Sequence, residues 1–145
     1  MRSKEAQEQA ILIQWCKLNE NRVEALKYIF HVPNGGYRNK IEAANLKRQG
    51  VKSGVPDLLL LVPNDKYIGL AIEMKVGKNK ATENQLKWLK FLKKQGSQAC
   101  ICYGAEEGLK VIKEYLKIIL YIKRRGIKPL LKLFLHNYNS YTSKK

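Results

Sequence analysis

The sequence predicts an α/β domain in which helices flank a mixed β-sheet. The first observation is a pair of β-rich segments, residues 57–62 and 67–76, joined by the turn-forming residues 63–66. Such a pair is typical of an antiparallel hairpin. The second observation is a helical segment after this pair, followed by a further β-rich segment at residues 98–103. A strand–helix–strand unit of this kind predicts a right-handed parallel connection, so the sheet combines both kinds of pairing.

Two elements are predicted near the start of the chain. Residues 4–18 are typical of a helix, in which Ile11, Trp15 and Leu18 follow one another at i, i+4 and i+7. This spacing predicts one buried apolar stripe along the helix. Residues 28–32 are rich in β-branched and aromatic side chains and predict a strand.

Turn and capping signals define the remaining helices. Residues 33–36 interrupt regular structure with proline and glycine, and residues 40–49 predict a short helix closed by a glycine. Thr82 and Gln85 have the spacing of a capping box, which opens a helix that extends to about residue 95. A last helix is predicted over 106–125, with four side chains facing inward: Val111, Tyr115, Ile119 and Ile122.

The charge of the chain indicates a polyanionic partner. The 145 residues include 28 Lys and Arg but only 12 Asp and Glu, which gives a net charge of +16. An excess of this size favours nucleic acid as the partner. A basic protein at a membrane surface and a ribosomal or packaging protein share this composition and remain as alternatives.

Cysteine usage and hydropathy predict an intracellular, cytoplasmic protein of a bacterial cell or of a virus host. Cys16, Cys100 and Cys102 have no metal-binding spacing, and an odd number of cysteines suggests a reducing compartment. The first residues lack the apolar stretch of a signal peptide. No apolar run approaches the roughly 20 residues of a membrane-spanning helix, so no membrane-spanning segment is expected, and nucleic acid is preferred to a membrane as the partner.

Three charged residues stand out in the predicted hairpin. Strand alternation places Glu73 and Lys75 on one face, and the hairpin places Asp57 at the same end. Two carboxylates suit Mg²⁺, which also takes water and phosphate oxygens as ligands. A neighbouring ammonium group could orient a water molecule or neutralise charge on a phosphate. A structural Glu73–Lys75 salt bridge, or solvated strand ends, is the alternative interpretation.

The pattern resembles the PD-(D/E)XK nuclease superfamily, and more closely its virus-type replication–repair nuclease branch, VRR-NUC. Four stretches of sequence show the resemblance: residues 8–15, residues 33–36 with Arg38, residues 50–57, and residues 72–75 followed by Gln85 and Trp88. The resemblance implies a restriction-endonuclease-like core, with a nuclease domain over residues 1–116. Residues 117–145 form a basic and apolar extension without a counterpart, which could bind nucleic acid, mediate self-association or pack on the core.

The resemblance also implies a role for each matching residue. Asp57 and Glu73 would bind the metal ion together with the main-chain carbonyl of Met74. Lys75 would position or activate the attacking water. Glu8 would reach the site from the first helix as a ligand or as a support for one, with Glu5 as a rival. Gln85 would lie near the site at the start of the following helix.

Glycines and basic residues predict the nucleic-acid contact. Two adjacent glycines let backbone amides approach a phosphate closely, although they would also suit an ordinary turn. The residues expected to contact nucleic acid are Asn34, Gly35, Gly36, Arg38, Lys47 and Lys52.

The predicted function is a Mg²⁺- or Mn²⁺-dependent DNA endonuclease. The resemblance implies a homodimer that cuts branched, flapped or four-way junction DNA. A binding module of the same fold without catalysis is one alternative, and a structural basic protein is the other.

Overall fold

A computed structural model describes residues 4–33 and 40–124 of the chain, and of residues 118–124 it describes the backbone alone. A 3₁₀ turn at Glu24–Tyr28 precedes the first strand and has no counterpart in the sequence prediction. The helices and strands in chain order are α1 Lys4–Asn19, β1 Ile29–His31, α2 Lys40–Arg48, β2 Leu58–Leu60, β3 Leu70–Lys75, α3 Glu83–Lys94, β4 Gln98–Tyr103 and α4 Gly104–Arg124. Some predicted features lie outside the described residues, namely Asn34, Gly35, Gly36, Arg38 and residues 125–145 of the extension.

The four strands form one mixed sheet in the order β1-β2-β3-β4. The first two pairings are antiparallel, and β3 pairs with β4 in parallel, which confirms the predicted α/β class with a mixed sheet. Leu58 lies opposite Ile72, and Lys75 lies opposite Tyr103. The start of β2 and the ends of β3 and β4 therefore share one edge of the sheet.

The hairpin strands are shorter than predicted because residues 61–69 form a long connection between them. Asn64 is fully buried in this connection, and its Oδ1 accepts hydrogen bonds from the amides of Lys66 and Tyr67 at 2.9 and 2.8 Å. The Tyr115 hydroxyl donates to the Val62 carbonyl at 2.6 Å. Backbone groups that would continue the ladder are thus satisfied by other partners.

The sheet separates two apolar clusters. On one face, Ile72 and Met74 of β3 pack against buried residues of α1 and α4, including Leu12, Ile112 and Tyr115. On the other face, a smaller cluster contains Ala71, Leu89 of α3 and Ala99. Strand alternation explains this separation, because successive side chains point to opposite faces.

The predicted apolar stripe of α1 is wrong by one residue. Ile11 is 52% exposed and Leu18 is 75% exposed, whereas Leu12 and Cys16 are buried. Trp15 is half-buried at the margin of the large cluster. Apolar residues occur around much of this helix, so its own periodicity does not select a face. Packing against α4 and β3 selects it instead.

Local hydrogen bonds define where α3 and α4 begin. Both bonds of the predicted capping box are present: Thr82 Oγ1 accepts from the Gln85 amide, and Gln85 Oε1 accepts from the Thr82 amide at 2.8 Å. Helix α4 begins two residues earlier than predicted, and Glu107 accepts a hydrogen bond from the Tyr103 amide at 2.8 Å. Tyr115 is buried as predicted, while the side chains of residues 119 and 122 are not described. None of the helices in the described ranges is long and apolar enough to cross a membrane.

Candidate active site

Asp57 is fixed at the start of β2 by main-chain and side-chain contacts. Its carbonyl accepts a hydrogen bond from the Val32 amide at 2.9 Å, which ties it to the end of β1. Its Oδ2 accepts from the Met74 amide at 2.8 Å. Because Leu58 pairs with Ile72, this second bond holds the Asp57 carboxylate across the end of β3.

Glu73 and Lys75 form a buried ion pair on the same face of β3. Glu73 is fully buried, and Lys75 is 5% exposed. The Lys75 Nζ lies 2.6 Å from Glu73 Oε1 and also donates to the Met74 carbonyl at 3.0 Å. One ammonium group therefore contacts two of the oxygens expected to bind a metal ion.

Gln85 joins helix α3 to this pair. Its Nε2 donates to Glu73 Oε1, while its Oε1 accepts from the Thr82 amide at 2.8 Å. The residue that completes the helix cap thus also contacts the buried carboxylate. The sequence allowed Gln85 to have both roles, and one side chain makes the capping bond and the contact with Glu73.

The second carboxylate oxygen of Glu73, Oε2, is unpaired. It is buried and has no hydrogen-bond partner among the described residues. Burial raises the pKa of this carboxyl from 4.5 to about 7, the Lys75 hydrogen bond opposes the shift, and the nearby charge of Asp57 adds to it. Buried polar atoms are normally paired, so an unpaired carboxylate oxygen indicates that a cation, a proton or an ordered water belongs there.

The donor set fits a hard divalent cation. Mg²⁺ takes oxygen ligands and commonly uses one or two carboxylates with water and phosphate oxygens. Asp57, Glu73 and the Met74 carbonyl supply oxygens of this type. The described residues contain no group of three His, Cys, Asp or Glu side chains that could hold an ion, so these carboxylates would need the carbonyl and solvent as further ligands.

Glu8 lies at the same edge of the sheet but contacts the start of α4. Its Oε2 accepts a hydrogen bond from the Ala105 amide at 2.7 Å. Gly104 has a φ of +82°, and a Cβ there would lie 3.3 Å from this same oxygen. Helix α1 covers the face that carries Met74, whereas Glu73 points to the face covered by α3. A role for Glu8 as a ligand remains a prediction.

The rival carboxylate Glu5 also has a partner. Its Oε1 accepts a hydrogen bond from Asn79 Nδ2 at 2.9 Å, just beyond the end of β3. Both acidic residues of the first two turns of α1 therefore bind main-chain or amide groups near the ends of β3 and β4. This arrangement stabilises the edge of the sheet at which the site lies.

Two of the predicted nucleic-acid contacts, Lys47 and Lys52, line a cavity of about 680 Å³ between α2 and α3. Sequence reasoning did not single out two residues of its wall, Ser53 and Asn84. Asn84 Nδ2 donates to Ser53 Oγ at 3.3 Å, and Trp88 Nε1 donates to the Ser53 carbonyl at 3.2 Å. Contacts between a loop and a helix of this kind leave no periodic signal in the sequence.

The loop before Asp57 packs closely on the start of α3. Gly54 has a φ of +82°, and a Cβ there would lie 2.8 Å from the carbonyl carbon and Cβ of Asn84 and 3.0 Å from the Gln85 amide nitrogen. Only a residue without a side chain allows this approach. The glycine therefore sets the position of α3 relative to the loop that precedes Asp57.

The fold and the site together define a class of protein. A mixed four-stranded sheet flanked by helices, with Asp57, Glu73 and Lys75 at one end of its hairpin, is a nuclease-type α/β core. The family model described as the VRR-NUC domain matches residues 3–106 of the chain. The chain belongs to the VRR-NUC domain family, which is a nuclease-type family, and the resemblance inferred from the four stretches is confirmed.

A solved structure gives the same result. The chain is similar to a structure described as a VRR_NUC domain protein, with 31% sequence identity and a TM-score of 0.68. The similarity covers 81% of this chain and 92% of the other. A comparison with curated proteins gives no significant match.

Proposed function

We propose that the protein is a divalent-metal-dependent DNA endonuclease. The observation that supports this most strongly is the buried Glu73 carboxylate, which has an unpartnered oxygen beside Asp57 and Lys75. A protein that needed only a stable core would gain by replacing such a pair with apolar side chains. Retaining buried charge beside an unsatisfied oxygen is typical of a functional site.

Asp57, Glu73 and the Met74 carbonyl would hold the ion, Mg²⁺ or Mn²⁺. When bound, the ion would stabilise negative charge on the phosphate and lower the pKa of a coordinated water. Asp57 is held for this task by the Met74 amide, and Glu73 is held by Gln85. Lys75 carries a positive charge at the same point, where it can orient the attacking water and neutralise charge that develops on the phosphate.

The proposed substrate is DNA with a branch, a flap or a four-way junction. The net charge of +16 supports a polyanionic substrate, and affinity should fall with salt because bound phosphates release counterions. The proposed nuclease acts on this substrate as a homodimer. The surface around Tyr28 supports self-association, since Tyr28, Phe30 and Leu61 are exposed and line one apolar cavity.

A non-catalytic binding module remains the second candidate. It is supported by the Lys75 ammonium group, which already bonds Glu73 Oε1 and the Met74 carbonyl and could simply neutralise the buried carboxylate. In that case Glu73 and Lys75 would form a structural ion pair, and nucleic acid would bind through surface lysines alone.

Cleavage by the parent protein and by Asp57→Ala separates these candidates. Linear duplex, single strand, flap and four-way junction DNA would each be incubated with Mg²⁺, Mn²⁺ or EDTA and resolved on a gel. We expect cleavage by the parent only with a metal ion, and none by Asp57→Ala, which should still shift DNA in EDTA. Asp65→Asn, at an exposed position in the connection between β2 and β3, removes the same charge away from the site and should cleave normally. No cleavage of any substrate by the parent would favour the binding module.

A further inference from the structure

A groove next to the candidate active site has no role in the chemistry described above. The cavity of about 680 Å³ between α2 and α3 adjoins a second cavity of about 360 Å³. The two share five wall residues: Leu46, Gly50, Val51, Lys52 and Trp88. They therefore form one groove with two ends of different chemistry, and we call it the α2–α3 groove.

One end of the α2–α3 groove is positively charged. Lys47, Lys52 and Lys87 line it, and no carboxylate occurs among the described residues of its wall. Lys87 is 2.7 Å from Glu83 on the same helix, but both side chains are largely exposed. Exposed pairs of this kind contribute little, so a phosphate can replace the Glu83 carboxylate as the partner of Lys87.

The other end of the α2–α3 groove is apolar. Val51, Val55 and Pro33 line it together with the half-buried Trp88 indole. The bond from Trp88 Nε1 to the Ser53 carbonyl fixes the ring against the loop. Proteins that bind single-stranded nucleic acid combine aromatic rings, on which bases stack, with basic side chains that follow the phosphates. Bases within a duplex already stack on their neighbours, so this end favours an unpaired base.

The groove is connected to the buried carboxylate by direct contacts. Ser53 is hydrogen-bonded to Asn84, and the next residue, Gln85, donates to Glu73. The loop that carries Lys52 and Ser53 continues to Asp57. A strand bound in the groove would therefore lie next to the proposed site of cleavage.

We propose that the α2–α3 groove binds an unpaired nucleotide of the substrate, with its base against Trp88 and its phosphates at Lys47, Lys52 and Lys87. This inference deepens the proposed function, and it rests on that function for the identity of the substrate. Binding itself needs no metal ion and can be measured in EDTA. A failure of the groove proposal is therefore distinguishable from a failure of the nuclease proposal, which is measured by cleavage.

Fluorescence of Trp88 tests the stacking contact. Trp15→Phe leaves Trp88 as the one tryptophan of the chain, since the sequence has two. Titration of this variant with a single-stranded thymidine oligonucleotide in EDTA should quench its emission, whereas a blunt duplex of equal length should quench it much less. In the parent background, Trp88→Ala should weaken single-strand binding roughly 5- to 150-fold, the range for loss of one stacked base. Unchanged emission with bound single strand would overturn the proposal.

Paired lysine variants test the phosphate contacts without disturbing the core. Lys52→Ala with Lys87→Ala should lower the slope of log affinity against log salt by roughly 1.4 for single-stranded DNA, at about 0.7 per phosphate contact. The matched control is Lys90→Ala with Lys93→Ala, which removes the same charge from the other side of α3. An equal loss of slope in both double variants would mean that the groove is not the binding site.

Discussion

The two faces of β3 differ in what they contribute to the protein. Ile72 and Met74 point to the face covered by α1 and α4, where they are buried in the larger apolar cluster. Glu73 and Lys75 point to the face covered by α3 and are almost as inaccessible to solvent. The strand is buried along its whole length. One face makes apolar contacts, and the other carries an ion pair in which one carboxylate oxygen is unpaired.

This difference shows that burial alone does not identify the stabilising residues. Removing water from apolar side chains favours folding, whereas removing water from charges costs free energy that their attraction need not return. The apolar face should therefore determine stability, and the charged face should determine function. Substitutions of adjacent residues on one strand can separate the two contributions.

The largest expected effect is on cleavage and distinguishes neighbouring residues. Glu73→Gln keeps the size of the side chain but removes the charge, and it should lower the cleavage rate by about a hundredfold to a thousandfold. Met74→Leu, its control, changes the opposite face and keeps the main-chain carbonyl, so it should cleave normally and lose less than about 1.5 kcal/mol of stability. Single-turnover rates with a flapped substrate measure both. Similar rates for the two variants would remove the functional distinction between the faces.

The next effect is on stability, for which substitution on the apolar face should cost more than substitution on the charged face. Ile72→Ala leaves a cavity in the larger cluster, so the free energy of unfolding should fall by about 2–5 kcal/mol. The double variant Glu73→Leu with Lys75→Met should lower it far less or raise it in the absence of metal, because both charges of the buried pair are removed and neither is left without its partner. Urea unfolding in EDTA compares the two. The comparison of faces fails if the double variant proves less stable than Ile72→Ala.

The smallest effect is a pH dependence confined to the charged face. The pKa of Glu73 is raised from 4.5 to about 7 in the folded protein, so folding favours its protonated form. The stabilisation that its protonated form adds to the free energy of unfolding is fully present below about pH 4.5 and is lost as the pH rises through about 7. Without metal, the parent should therefore lose on the order of 3 kcal/mol relative to Glu73→Gln between pH 4.5 and about pH 8.

Urea unfolding of both proteins in EDTA across this range measures that difference, because ionisations common to both proteins cancel. A constant difference in the free energy of unfolding would show that the Lys75 ammonium compensates the buried charge completely.

Much of this arrangement could be predicted from the sequence. Strand alternation and the hairpin together place Asp57 beside Glu73 and Lys75, and the structure brings these three residues together. The capping box could also be predicted, because its two residues lie three apart and act within one turn. These features depend on local geometry and on a single pairing between neighbouring strands.

Features that depend on packing between distant segments could not be predicted in this way. The face that α1 buries is set by α4 and β3, and its own sequence offers several apolar positions. The burial of Asn64 depends on its bonds within the connection and on the nearby Tyr115 of α4. The wall formed by Ser53 and Asn84 requires a loop and a helix 31 residues apart to meet.

The close approach of Gly54 to Asn84 makes the geometry of the candidate site sensitive to a change that alters no charge. One added methyl group would have to push the first turn of α3 away from the loop, and Gln85 would move with that turn. The Glu73 carboxylate would then lose its amide partner, although nothing near its own atoms had been altered. A backbone position without a side chain thus acts as a spacer that sets the hydrogen bonding of a buried carboxylate on a different segment of the chain.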